Sequence, residues 1–133
     1  MSDKKTKLEK DVRLLGVCKR HWSDNSDALH WRDAGVGSEH CELCNEYAPR
    51  GWKQGACDGC PIKWETGEHG CKGTPYIDAS RAWNKWHNTM VWPNDEWGYA
   101  KEEFSEQADF MSAWLGSLEA KLQSQLDELK VKK

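Results

Sequence analysis

Phenylalanine is scarce in this chain: two residues, against nine tryptophans and three tyrosines. Apolar residues reach only 38% and charged residues 31% over 133 positions, so a large hydrophobic core is not expected. Tryptophan, bulky and carrying one N–H donor, suits half-wet surfaces as well as small cores. A core of that size calls for a staple. Long apolar runs are also missing. No window approaches eighteen uncharged apolar residues, which excludes a membrane-spanning helix. No apolar stretch follows Met1-Ser-Asp-Lys-Lys-Thr-Lys, so the start does not read as a secretory signal and a cytoplasmic location is expected.

A basic surplus is lacking as well. The net charge is −3, whereas a dedicated phosphate-backbone binder carries a strong positive excess. The charge is uneven: Lys4, Lys5, Lys7, Lys10, Arg13, Lys19 and Arg20 make the start basic, and Asp95 to Asp109 is acidic. Catalytic signatures are absent too, with no convincing Ser/His/Asp set, phosphate-cradling glycine loop or carboxylate pair. His87-Asn88 is the one adjacent His-Asn pair, but the hairpin that a zinc-stapled His-Asn-His nuclease needs ahead of its helix is missing. The chain therefore reads as no enzyme, that nuclease being the enzymatic alternative.

What is present begins with helical periodicity. Leu8, Val12, Leu15, Cys18 or Lys19, and Trp22 predict a helix from about Lys5 to Trp22. Ser23–Asp27 reads as a turn cluster, and a second short helix is expected over Asp27–Asp33. Thr74-Pro75 is a good helix start, followed by Tyr76, Ala79, Trp83, Trp86 and Met90 on one face, with Trp92-Pro93 as the stop. From Asp95 the residues Phe104, Ala108, Met111, Leu115, Leu118, Leu122, Leu126 and Leu129 step by three or four. That helix would be roughly 50 Å long. Three outcomes are open: a break near Gly116-Ser117, packing on another chain as a homodimer, or a course across the N-terminal helix of the same chain. The expected fold is mainly α, with three or four helices around an irregular stapled segment. A helical metal-binding domain is assigned to 1–93 and a long helix, possibly for oligomerisation, to 94–133.

The stapled segment is Glu39 to Gly73, rich in glycine and cysteine and without sustained period. Cys41-Glu-Leu-Cys44 and Cys57-Asp-Gly-Cys60 form a double Cys-x-x-Cys pair, and Cys71 follows. A two-residue gap lets both sulfurs bend round one ion, and two pairs close a tetrahedral thiolate set. The simplest ligands are Cys41, Cys44, Cys57 and Cys60. Cys71 could replace one of them, as could His40 or His69. Zinc is the expected metal, an iron–sulfur cluster the alternative. A disulfide framework competes because six cysteines is an even number. A redox pair is disfavoured because no β-branched strand precedes either motif. Cys18 and His21 lie at i, i+3 and could join a metal site, but Cys18 on the apolar stripe reads more simply as a small buried hydrophobe. His30 and His87 read as ordinary histidines.

The cysteine motifs resemble a group of small cysteine-rich, zinc-finger-like proteins encoded by tailed bacteriophages. The likeness rests on the first Cys-x-x-Cys, Cys57-Asp-Gly-Cys60-Pro-Ile62, Thr66-Gly67, Cys71 and Gly73-Thr-Pro-Tyr76, with Lys19-Arg-His-Trp22 and the approach from Gly37 to Cys41 upstream. It covers about residues 14 to 90 and implies a viral origin and a role in the host cytoplasm, without an activity. The function expected is protein binding, with Trp52 and Trp64 as contact residues of the metal segment, since exposed tryptophan favours interfaces. Nucleic-acid binding, by stacking on tryptophans or through the basic start, is the alternative.

Overall fold

The computed structural model describes residues 2–36, 41–47, 59–67, 71, 73–89 and 95–131. Five α-helices and one 3₁₀ turn, with no strand among the described residues, make the architecture mainly α. Helix α1 (Ser2–Ser26) buries Leu8, Asp11, Leu14, Leu15, Cys18, Trp22 and Asn25, a face stepping by three and four. It runs past Trp22 because the polar residues of the expected turn find tertiary partners. The Asn25 amide donates to Gly35 O at 2.9 Å and accepts from Gly35 N–H at 3.1 Å. A side chain so occupied no longer competes for its own backbone. The helix expected over Asp27–Asp33 shrinks to a 3₁₀ turn, Trp31–Asp33, with His30 Nδ1 accepting from the Arg32 N–H.

The segment read as irregular carries two six-residue helices, α2 (Glu42–Tyr47) and α3 (Pro61–Thr66), which raises the count from the expected three or four helices to five. Proline at the first position starts α3, and Gly67 ends it at φ 75°, its N–H returning to Lys63 O at 2.7 Å. Helix α4 (Tyr76–His87) opens with the expected hydroxyl cap, Thr74 Oγ1 accepting from Tyr76 N–H at 3.1 Å. It buries Ala79, Ala82 and Trp86. Met90, Trp92 and Pro93 lie outside the described residues.

Helix α5 (Asp95–Val131) has 37 residues, about 55 Å at 1.5 Å per residue. It does not break at Gly116. Its first part packs on α4, where Trp86 meets Trp97 and Phe104 with ring centroids 5.5 and 5.6 Å apart. The rest lies along α1: Ser105 Oγ donates to Ser26 O, Ser112 Oγ to Lys19 O, and Lys19 pairs with Glu119 at 2.6 Å. Rising numbers on one helix meet falling numbers on the other, so the pair is antiparallel. Gly116 sits at the close approach, where a Cβ would stand 3.2 Å from Lys19 Cδ. The apolar stripe of α5 (Phe104, Ala108, Met111, Leu115, Leu118) is thus buried within the chain.

Candidate metal centre

Four of the five cysteines proposed as ligands are described, and each is held by a short element. Cys41 is half-buried immediately before α2, and Cys44 is buried inside α2. Cys60 is buried and stands just ahead of Pro61 at the start of α3. Cys71 is half-buried in the turn before α4, with a left-handed backbone (φ 62°) rare for a residue with a Cβ. Its carbonyl accepts from Thr74 Oγ1 at 2.7 Å, which fixes the turn that starts α4. Cys57, Trp52, His40 and His69 lie outside the described residues.

Within the first pair the Cys44 N–H donates to Cys41 Sγ at 3.4 Å. A third sulfur joins from α1, with Cys18 Sγ 3.7 Å from Cys41 Sγ. Hydrogen bonding to Cys41, helped by the backbone N–H groups of Leu43 and Glu42 and opposed by burial, holds the Cys18 thiol below its ordinary range. Cys41 is pushed well above its range, first by Cys18, then by Cys44, then by burial. Sulfurs this close cannot all be thiolates unless a proton or a cation stands among them. None of the five described cysteines is in a disulfide. Among the described residues, no group of three or more His, Cys, Asp or Glu side chains is placed to hold a metal ion.

A polar clasp flanks the thiols. Asp11, 2% exposed, accepts from Tyr47 Oη and from Lys7 Nζ, the latter at 2.5 Å. Burial and the Asp11 carboxylate push the Tyr47 phenol above its ordinary range, so it stays a donor. The Tyr47 ring also explains glycine at position 59, where a Cβ would come within 2.9 Å of Tyr47 Cε1. The ring of the first pair's helix is thereby laid against the backbone of the second. Nothing in the apolar pattern marks Asp11 or Tyr47; only the oddity of an acid on the buried stripe of α1 points to them.

The described histidines His21 and His87 pack within the fold. His21 Nε2 contacts Gly35 O at 2.7 Å, and His87 stacks on Trp83 with centroids 5.0 Å apart while Trp31 meets it edge-on at 4.2 Å. Trp64, the described tryptophan of the segment, is 77% exposed. It borders an open groove of about 370 Å³ between α1, α3 and α5, floored by Leu8, Leu118 and Leu122. Two of the three lysines that line it are ion-paired, Lys7 with Asp11 and Lys121 with Glu65 at 2.5 Å, and Lys4 is the third. No described helix is long and apolar enough to cross a membrane. Neither a known protein family, nor a curated protein, nor a solved structure matches the chain.

Proposed function

We propose that this chain is a small non-enzymatic zinc-binding protein, of the accessory kind that tailed bacteriophages encode, and that it docks in the cytoplasm on a protein of the host or the phage. Helix α3 carries the reading. At six residues it is far below the roughly 12–15 that make an isolated helix even marginal. It nevertheless turns Cys60, Pro61 and Ile62 inward and holds Trp64 out at 77% exposure. An element that short needs an anchor to display a large aromatic at a fixed angle, and thiolates from the two cysteine pairs provide one. Cys41, Cys44, Cys57 and Cys60 are the donors that suit zinc, and a closed thiolate set orders the chain without activating water.

Exposed tryptophan beside an apolar groove suits a protein partner, because it buries much area for little side-chain entropy. The net charge of −3 gives the chain no positive surplus for phosphates. The test joins elemental analysis with partner cross-linking to the wild type and to Trp64→Ala. The expected result is one zinc per chain in both proteins, unchanged helix content, and a cross-linked partner lost from the variant. Absence of metal, or equal cross-linking by both proteins, defeats the reading. Salt-dependent binding to a random oligonucleotide would move the assignment to nucleic acid.

A further inference from the structure

The outer face of α5 has an order of its own. Tyr99, Glu106, Phe110 and Ser117 recur at steps of seven and four, so they form one outward line. Tyr99 and Phe110 are 69% and 50% exposed, and Glu102, Glu106 and Asp109 around them are exposed as well. This half of the helix is an acidic ridge with two aromatic anchors. One turn beyond Phe110, Trp114 shares a cleft with Glu65, Ser117 and Lys121. That cleft runs into the groove beside Trp64, because Glu65, Leu118 and Lys121 border both. The groove has the opposite character, an apolar floor under Lys4, Lys7 and Lys121. Lys7 and Lys121 stay 45% and 57% exposed despite their pairs with Asp11 and Glu65. An ammonium has three donors, so each can take a second carboxylate. Ridge and groove lie along one helix and cannot reach each other within a single molecule.

We propose that the groove beside Trp64 is filled by the acidic ridge of α5 from a second copy of this chain, each copy filling the other's groove in an antiparallel, two-fold dimer. The apolar stripe of α5 is already buried by α1 and α4, so association uses the opposite face. The charges choose the direction. A parallel pair would lay Glu102, Glu106 and Asp109 on their own counterparts, whereas an antiparallel pair lays them beside Lys4, Lys7 and Lys121. The symmetry axis falls midway between ridge (99–110) and groove (118–125), at Ala113, which is exposed and small enough for the helices to close. In that register Asp127 and Glu128 come opposite Tyr99 and Gly98 and meet no carboxylate. A foreign partner would have to supply the acids and aromatics that this chain already carries. The inference rests on the reading of Trp64 and its groove as a protein-docking surface, and it names the partner there as the chain itself.

Sedimentation equilibrium of the full chain is the test, and twice the chain mass is expected. Phe110→Ser should weaken the dimer at least tenfold without loss of helix content, since that side chain is half exposed. Charge reversal gives the sharper readout. Glu102→Lys combined with Glu106→Lys should be monomeric, and so should Lys4→Glu combined with Lys121→Glu. Mixed, the two variants should form a heterodimer, because each reversed face then meets its complement. A fold that was merely destabilised would not be rescued by mixing. A wild type that stays monomeric at millimolar concentration overturns the inference. If Trp64 then still cross-links a different protein, the docking reading stands; if it cross-links nothing, both fail. A dimer that either charge reversal leaves intact uses another face and refutes the proposal, as does a mixture that stays monomeric.

Discussion

The helical frame and the cysteine segment are held together by different physics. In the frame, α1, α4 and α5 bury Leu15, Trp86, Phe104, Met111 and Leu115 almost completely, and dispersion and the hydrophobic effect act over long continuous faces. In the segment, α2 and α3 have six residues each and bury little beyond Leu43, Cys44, Cys60, Pro61 and Ile62. Among its buried residues it reaches the shared core only through Leu43, Cys60 and Ile62, and its other described attachments are polar: Tyr47 on Asp11, Lys10 on Glu46 at 2.8 Å, Lys121 on Glu65, and the thiol group. Apolar faces tolerate small shifts, whereas polar clasps depend on each partner. The two regions should therefore fail separately.

The sharpest break of that contrast is Trp86→Ala, which empties the junction of α4 and α5. A loss of about 3–5 kcal/mol is expected, read as a lower melting temperature of the whole chain by circular dichroism. Next is Cys44→Ser. Amide exchange should accelerate at least about tenfold in α2 and α3 while α1 and α5 stay protected. Uniform acceleration would mean that frame and segment form one cooperative unit. Asp11→Ala leaves the Tyr47 hydroxyl without its acceptor and should cost about 1–3 kcal/mol in denaturant unfolding. Gly98→Ala works in the other direction. A Cβ there meets nothing within 4 Å, so helix propensity should add about 0.5–1 kcal/mol to the frame. Lys121→Ala removes a largely exposed ion pair and should cost under about 1 kcal/mol by the same measurement.

Much of the frame was legible in the sequence because it rests on period. The steps Phe104, Ala108, Met111, Leu115 placed the buried face of α5, and Thr74-Pro75 placed the start of α4 to within a residue. The course of α5 past Gly116 was not legible, since glycine inside a helix reads as a break unless one sees a neighbouring helix crowding the spot, as Lys19 does here. Asn25 misled for a similar reason: its amide is absorbed by Gly35, a partner ten residues away that no local rule supplies. At the candidate site, spacing singled out Cys41, Cys44 and Cys60, and composition singled out Trp64. Cys18 was read from its helical face, which tells that a residue is buried but not what it is buried against. Helices α2 and α3 escaped because six residues are too few to display a period.

The pairing of α1 with α5 has a consequence for how the chain is made. Lys19 and Glu119 touch across a sequence separation of 100. At translation rates of about 5–20 residues per second, α1 waits roughly 5–20 s for its partner helix to be synthesised. Through that interval Leu8, Leu15 and Trp22 face water, and the α1–α5 pairing closes only after release of the later helix. The lysines that alternate with those apolar residues along α1 then act as solubilising guards for an unfinished molecule, a duty that ends once α5 arrives.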